Sequence, residues 1–133
     1  NAFDGALLNA GIGNTNLIKI SSIIPPHCKE IHPITFPQGT IVPTAYASIS
    51  SDIPGEIISA AVAIALPKDD EQSGLIMEYS ACGRRKEIEL IAKNMACEGM
   101  KIRHQETKEI KSISAEYKVK KIGAAFAAVI LWE

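Results

Sequence analysis

The sequence predicts a strand-rich α+β fold with helices on the outside of packed sheets. Three observations carry this. Apolar, β-branched runs of strand length recur along the chain, two stretches have helical period, and Pro and Gly punctuate the runs at short intervals. With 133 residues, 47% hydrophobic and 22% charged, the composition suits one packed domain spanning 1–133.

Over residues 3–9, Phe3, Ala6 and Leu7, with Ala10 one turn on, make a short amphipathic helix that Gly11 stops; residues 11–14 then turn. Residues 16–24 are rich in β-branched side chains and read as a strand. Pro25 and Pro26 must end it, because proline lacks the amide hydrogen a ladder needs. Residues 40–50 and 56–66 read as strands around a turn at 52–55, with Pro54 and Gly55 side by side and a hairpin as the simplest connection. Residues 73–79 form a short apolar strand with one acid, Glu78. Gly83 leads into a helix over 84–98, in which Ile88, Ile91, Ala92 and Met95 form the buried stripe, Glu89 and Lys93 lie on the wet face, and Gly99 closes the helix. Alternation over 110–119, with Ile113, Ala115, Tyr117 and Val119 on one side, marks a half-buried strand. Residues 124–132 are apolar on both faces, as in a central strand.

Charge and composition exclude several classes. Fourteen basic against 15 acidic residues leave a net charge of −1, so no phosphate-tracking surface is indicated and nucleic acid is a poor partner. The apolar runs at 57–66 and 122–132 are too short to span a bilayer, and no signal stretch opens the chain, which reads as soluble and cytoplasmic. Cys28, Cys82 and Cys97 are odd in number and lack metal-type spacing, which favours reduced thiols. His27, His32 and His104 form no cluster in sequence, so no metal is expected. The chain starts at Asn1 without an initiator Met, which suggests a piece upstream.

The chemistry centres on the adjacent hydroxyls of Ser21 and Ser22. Such a pair also serves as a polar step at a strand end, but here it fits peptide self-cleavage. If the Ser22 hydroxyl attacks the Ser21 carbonyl, the amide becomes an ester, β-elimination releases Ser21 as a carboxylate, and the dehydroalanine left at position 22 hydrolyses to a pyruvoyl group. An unactivated hydroxyl attacks an amide slowly, so a donor aimed at the developing oxyanion is needed. Asn16 is a candidate, its alternative role being a turn residue. A pyruvoyl ketone condenses with a substrate amine to an imine and takes up electrons as carbon dioxide leaves, so amino acid decarboxylation is its natural use. The resulting carbanion needs an acid kept neutral by burial. Glu78, among Leu75, Ile76, Met77 and Tyr79, fits that role, the alternative being a glutamate turned to solvent.

The run NAFDGALLNAGIGN over 1–14, ISSI at 20–23 followed by Pro25 and Pro26, VPTAY at 42–46, SDIPGE at 51–56, GLIMEY at 74–79 and GAAFA at 123–127 together resemble the pyruvoyl-dependent arginine decarboxylases, which are mostly archaeal. The blocks keep order and compatible spacing across essentially the whole chain. The resemblance implies a four-layer αββα sandwich and cleavage between Ser21 and Ser22 into a β chain (1–21) and a longer α chain (22–133). It further implies a covalent pyruvoyl group from Ser22, Glu78 as proton donor and Asn16 as an aid to processing. L-arginine would be the substrate and agmatine, a polyamine precursor, the product. The assembly it implies is a homotrimer, or a hexamer of paired trimers, with sites at subunit interfaces. Asp4 resembles the family acid that meets the guanidinium, a pairing a carboxylate can make with two hydrogen bonds; an acid in the first turn of a helix is also favoured by the dipole alone.

Family members carry a further N-terminal segment before the position of Asn1, and residues 27–38 and 101–107 match only loosely. Two other readings stay open on the residues alone. The same device serves decarboxylases of other amino acids, and an uncleaved chain would be a non-catalytic trimeric assembly protein.

Overall fold

The computed structural model describes residues 1–31 and 33–133; His32, and with it the reading of the three histidines as unclustered, lies outside the described residues. Along the chain run α1 (Ala2–Asn9), β1 (Asn16–Lys19), β2 (Ile23–Ile24), β3 (Ile41–Ser51), β4 (Ile57–Pro67), β5 (Gly74–Cys82), α2 (Arg85–Ile102), β6 (Thr107–Lys118) and β7 (Gly123–Ile130). They build an α+β fold of two helices and two sheets among the described residues. The first sheet has the order β1-β3-β7, with β1 parallel to β3, and the second has the order β2-β5-β4-β6.

Side-chain alternation assigns the faces. Along β7, Ala125 and Ala127 pack with Ala47 against Ile58, Ala60 and Val62 of β4, while Phe126 turns the other way to Leu7 and Phe3 of α1. The first sheet is therefore covered by the second sheet on one face and by α1 on the other. The far face of the second sheet buries Ala61, Ala63 and Leu75 against Ile88, Ala92, Ala96 and Met100 of α2. Asn1 caps α1, its side-chain oxygen accepting from the Asp4 amide at 2.8 Å. The start of α2 is held from β6, where Glu116 accepts from the Arg85 amide at 2.9 Å. Glu89 on α2 accepts hydroxyl hydrogen bonds from Ser112 and Ser114, clasping the helix to the same strand.

Five expectations are corrected. The apolar run at 16–24 is two strands in different sheets, β1 and β2, and Ser21 and Ser22 lie in the gap between them. β3 and β4 do not form a hairpin but belong to different sheets and stack face to face. The turn between them has the expected chemistry, with Gly55 at φ +87°, yet its Gly55 amide donates to the Val119 carbonyl and Glu56 accepts from the Val119 amide, both at 2.8 Å. Helix α2 runs through Gly99 and buries Ile88, Ala92, Ala96 and Met100, leaving Ile91 and Met95 exposed. A helical glycine costs about 1 kcal/mol, whereas burying Met100 returns about 1.5–3 kcal/mol. Gly99 also lets the helix approach the sheet, since a Cβ there would meet Leu75 Cδ1 at 2.6 Å. On β6, Ile113 is 60% exposed while Ser112 and Ser114 face the helix, because the strand is an edge strand and Glu89 selects its polar residues. Finally, β7 is an edge strand of its sheet rather than a central one; it is apolar on both faces because α1 covers one and the second sheet the other.

Candidate active site

Two isoleucines explain where the chain changes sheets. Ile20, just past β1, and Ile24 of β2 pack into one cluster with Ala45 of β3 and Ile76 of β5, so the segment between them must cross from one sheet to the other. Ser21 and Ser22 are that crossing. On one side the Ile20 amide donates to the Thr44 carbonyl of β3 at 3.0 Å, and on the other the Ile76 amide of β5 donates to the Ser22 carbonyl at 2.7 Å. Ser21 is exposed and Ser22 half-buried. The bond between them is thus pinned on both flanks while its own atoms stand off the ladders.

Strand β5 presents the acid to the same place. Leu75, Met77, Tyr79 and Ala81 turn towards α2. Ile76 and Ser80 turn towards the first sheet, where the Ser80 hydroxyl donates to the Ser48 carbonyl at 3.0 Å. Glu78 lies between those two in register and shares their face. It is half-buried, and its Oε2 is buried with no hydrogen-bond partner among the described residues. Burial pushes this carboxyl above the ordinary glutamate range, and the Lys19 charge works against that rise. The anchor of Ser22 on Ile76 is two residues from Glu78, about 7 Å along a strand. The backbone of Ser22 is thus tied to the strand that carries Glu78.

Lys19 is the last residue of edge strand β1, with Nζ 4.8 Å from the centre of the Tyr46 ring. Neither residue stood out in the sequence as a functional residue. The available signal was slight: Lys19 is the one charge in the run LIKI immediately before the serine pair.

Asn16 and Asp4 lie elsewhere. Asn16 opens β1, five residues before Ser21, roughly 16 Å away in extended chain. Its Nδ2 donates to the Gly39 carbonyl at 3.0 Å. Asp4 is exposed on α1, which packs through Phe3, Ala6 and Leu7 on the face of the first sheet that bears Tyr46 and Phe126, turned away from the second sheet.

The site suits a carbonyl-based decarboxylation. The carbonyl of Ser22 is tied to β5, and the same strand carries a carboxyl that burial pushes above the ordinary glutamate range, one of its oxygens buried without a partner among the described residues. No helix among the described residues is long and apolar enough to cross a membrane.

The family model described as pyruvoyl-dependent arginine decarboxylase matches residues 1–133. Among curated relatives, the pyruvoyl-dependent arginine decarboxylase of Methanocaldococcus jannaschii is 54% identical over 132 residues, covering 99% of this chain and 80% of its own. The protein of the same name from Pyrococcus furiosus is 48% identical over 135 residues, with 99% and 85% covered. Among solved structures, a pyruvoyl-dependent histidine decarboxylase at pH 8 superposes with a TM-score of 0.61 at 17% identity, over 73% of this chain and 52% of its own. That last likeness concerns the fold.

Proposed function

The chain belongs to the pyruvoyl-dependent arginine decarboxylase family, and on that premise we propose that it cleaves itself between Ser21 and Ser22 and then decarboxylates L-arginine to agmatine. The observation that carries this reading is the Ser22 carbonyl held on the Ile76 amide, which ties position 22 to the strand carrying the unpartnered carboxyl of Glu78.

Processing begins when Ser22 Oγ attacks the Ser21 carbonyl carbon. The C–N bond breaks, the Ser22 amine is freed, and an ester joins the two residues. Loss of the Ser22 α-proton expels the Ser21 carboxylate, and the dehydroalanine takes up water and releases ammonia, leaving a pyruvoyl group at the head of residues 22–133. Residues 1–21 stay in place, because β1 pairs with β3 and α1 packs on Phe126. The pyruvoyl ketone would supply the electron sink for the bonding pair left on the substrate when its carboxylate departs as carbon dioxide. Glu78, its carboxyl pushed above the ordinary range by burial, holds the proton that the substrate α-carbon receives.

Asn16 and Asp4 enter this reading from a neighbouring subunit. Within one chain both lie away from Ser22, and the exposed Ile18 and Ile41 leave apolar surface along β1 and β3 for a second copy. We therefore favour a homotrimer, alone or paired as a hexamer, with Asn16 assisting processing and Asp4 meeting the guanidinium across a subunit contact. The three successive cores are read as the four-layer αββα sandwich of one domain. The three free thiols suit a cytoplasmic setting.

Intact mass and carbon dioxide release test the proposal. The parent protein should give two fragments and release carbon dioxide from arginine in preference to histidine, ornithine and lysine. Ser22→Ala should stay a single, inactive chain; two fragments from it would refute the assignment of the attacking hydroxyl.

A further inference from the structure

The two sheets meet through alanine, isoleucine and valine side chains, and apolar contacts of that kind attract without fixing a direction. There is one exception. Among the described residues a single hydrogen bond joins a strand of the first sheet to a strand of the second: the Ser80 hydroxyl of β5 donates to the Ser48 carbonyl of β3 at 3.0 Å. It stands two residues from Glu78, on the same face of β5. We propose that Ser80 is a positioning residue for the decarboxylation, its bond to β3 fixing where the Glu78 carboxyl stands between the sheets.

The buried oxygen of Glu78 has no hydrogen-bond partner among the described residues, so its place follows from the strand that carries it. That strand is tied to β3 on either side of the acid. Ile76 packs with Ala45 in one cluster, and Ser80 reaches Ser48. Over this stretch the inward side chains of β3 are Ala45 and Ala47, whose methyl groups leave a carboxyl its space. The Ser48 carbonyl is available because β1 stops short. The Thr44 carbonyl receives the Ile20 amide on the β1 side, and every second residue of β3 points its polar groups the same way, so Ser48 lies past the last β1 partner, Lys19, where the chain has left for β2. The gap through which the serine pair crosses to the second sheet thus frees the carbonyl that Ser80 uses. A bond that did no more than satisfy that carbonyl would add stability alone; one that also aligns the acid shows in turnover.

This inference rests on Glu78 being the acid, and the test keeps the two apart. Ser59 supplies the control: its buried hydroxyl donates to the Gly83 carbonyl at 2.8 Å, the same kind of bond, from the α2 side of β4. Ser80→Ala and Ser59→Ala each lose one such bond, and thermal melts report that loss. Both should give two fragments by intact mass, since the anchor of Ser22 on Ile76 is untouched. With arginine, Ser80→Ala should lower kcat per cleaved chain about tenfold, with KM little changed and Ser80→Thr restoring it, while Ser59→Ala keeps the parent kcat. In a Glu78→Gln background Ser80→Ala should lower the remaining turnover by less than about twofold, because a residue that acts through the acid then has nothing to align. A parent-like kcat in Ser80→Ala, a single uncleaved chain from it, or the full loss in both backgrounds overturns the inference. Normal turnover by Glu78→Gln instead removes Glu78 as the acid, and is read without any change at position 80.

Discussion

Two half-buried glutamates on opposite sides of β5 behave in opposite ways. Glu89 on α2 accepts from two serine hydroxyls of β6, and these bonds hold its carboxyl below the ordinary range. Glu78 faces the first sheet with one oxygen buried and unpartnered, and burial holds its carboxyl above that range. Both carboxyls lose solvent, but only Glu89 receives donors in exchange. A buried acceptor without a donor costs about 1–3 kcal/mol, a cost that packing alone does not explain and that a proton-donating role does. The carboxyl that is fully bonded clasps a helix to a strand; the one left wanting sits on the strand that anchors Ser22.

Replacing each acid by its amide breaks the comparison most sharply at Glu78. Glu78→Gln should still cleave, since the attacking hydroxyl is untouched, yet lose about 10²–10³ in kcat. Its stability should move the other way. Glu78 binds its proton more tightly folded than unfolded, so its contribution falls as pH rises from the unfolded carboxyl range through the raised folded value. The glutamine variant escapes that loss. Thermal melts at about pH 5 and about pH 8 should show the variant gaining more on the parent at the higher pH; an equal or opposite difference would mean Glu78 is not penalised in the folded state.

Glu89→Leu should do the reverse, leaving kcat intact at temperatures where the protein is folded while lowering stability by about 2 kcal/mol, because two serine hydroxyls lose their acceptor. Urea unfolding beside the arginine assay reads both. A variant that melts normally but turns over slowly would place Glu89 in the chemistry and end the division.

How much of this was legible in the sequence follows from the range over which each signal acts. Glu78 stood out because an acid inside the run GLIMEY is a local anomaly, and the serine pair because its chemistry is local too. The turn at 52–55 was readable as a turn, but proline and glycine serve a sheet-to-sheet crossing as well as a hairpin, and only the Val119 hydrogen bonds tell them apart. Gly99 as a helix stop was outweighed by what lies beyond it, the burial of Met100 and the close approach to Leu75. The stripe Ile88, Ile91, Ala92, Met95 had the right period but was rotated, because small alanines allow α2 to sit closer to a β4 that is itself alanine-rich. Asn16 and Asp4 were singled out by resemblance, and a single chain does not bring either to Ser22.

The smallest change refines the contrast furthest. Ser114→Ala removes one of the two donors to Glu89 and leaves Ser112 in place, so the cost should be about 1 kcal/mol, the net worth of one hydrogen bond at a partly exposed site. The sign of its pH dependence is set by the carboxyl. Glu89 has a depressed folded value, so its stabilisation is present above the unfolded carboxyl range and is lost as pH falls through the folded value. With one donor gone, the folded value rises towards the ordinary range, so the loss of stability on acidification should be smaller than in the parent and complete at a higher pH. Urea midpoints across the acid range measure this, and the arginine assay run alongside should stay flat. Glu78, which has no donor to lose, cannot give that signature; if Ser114→Ala lost as much stability on acidification as the parent, the two carboxyls would differ in position only, and the argument from missing donors would fail at both.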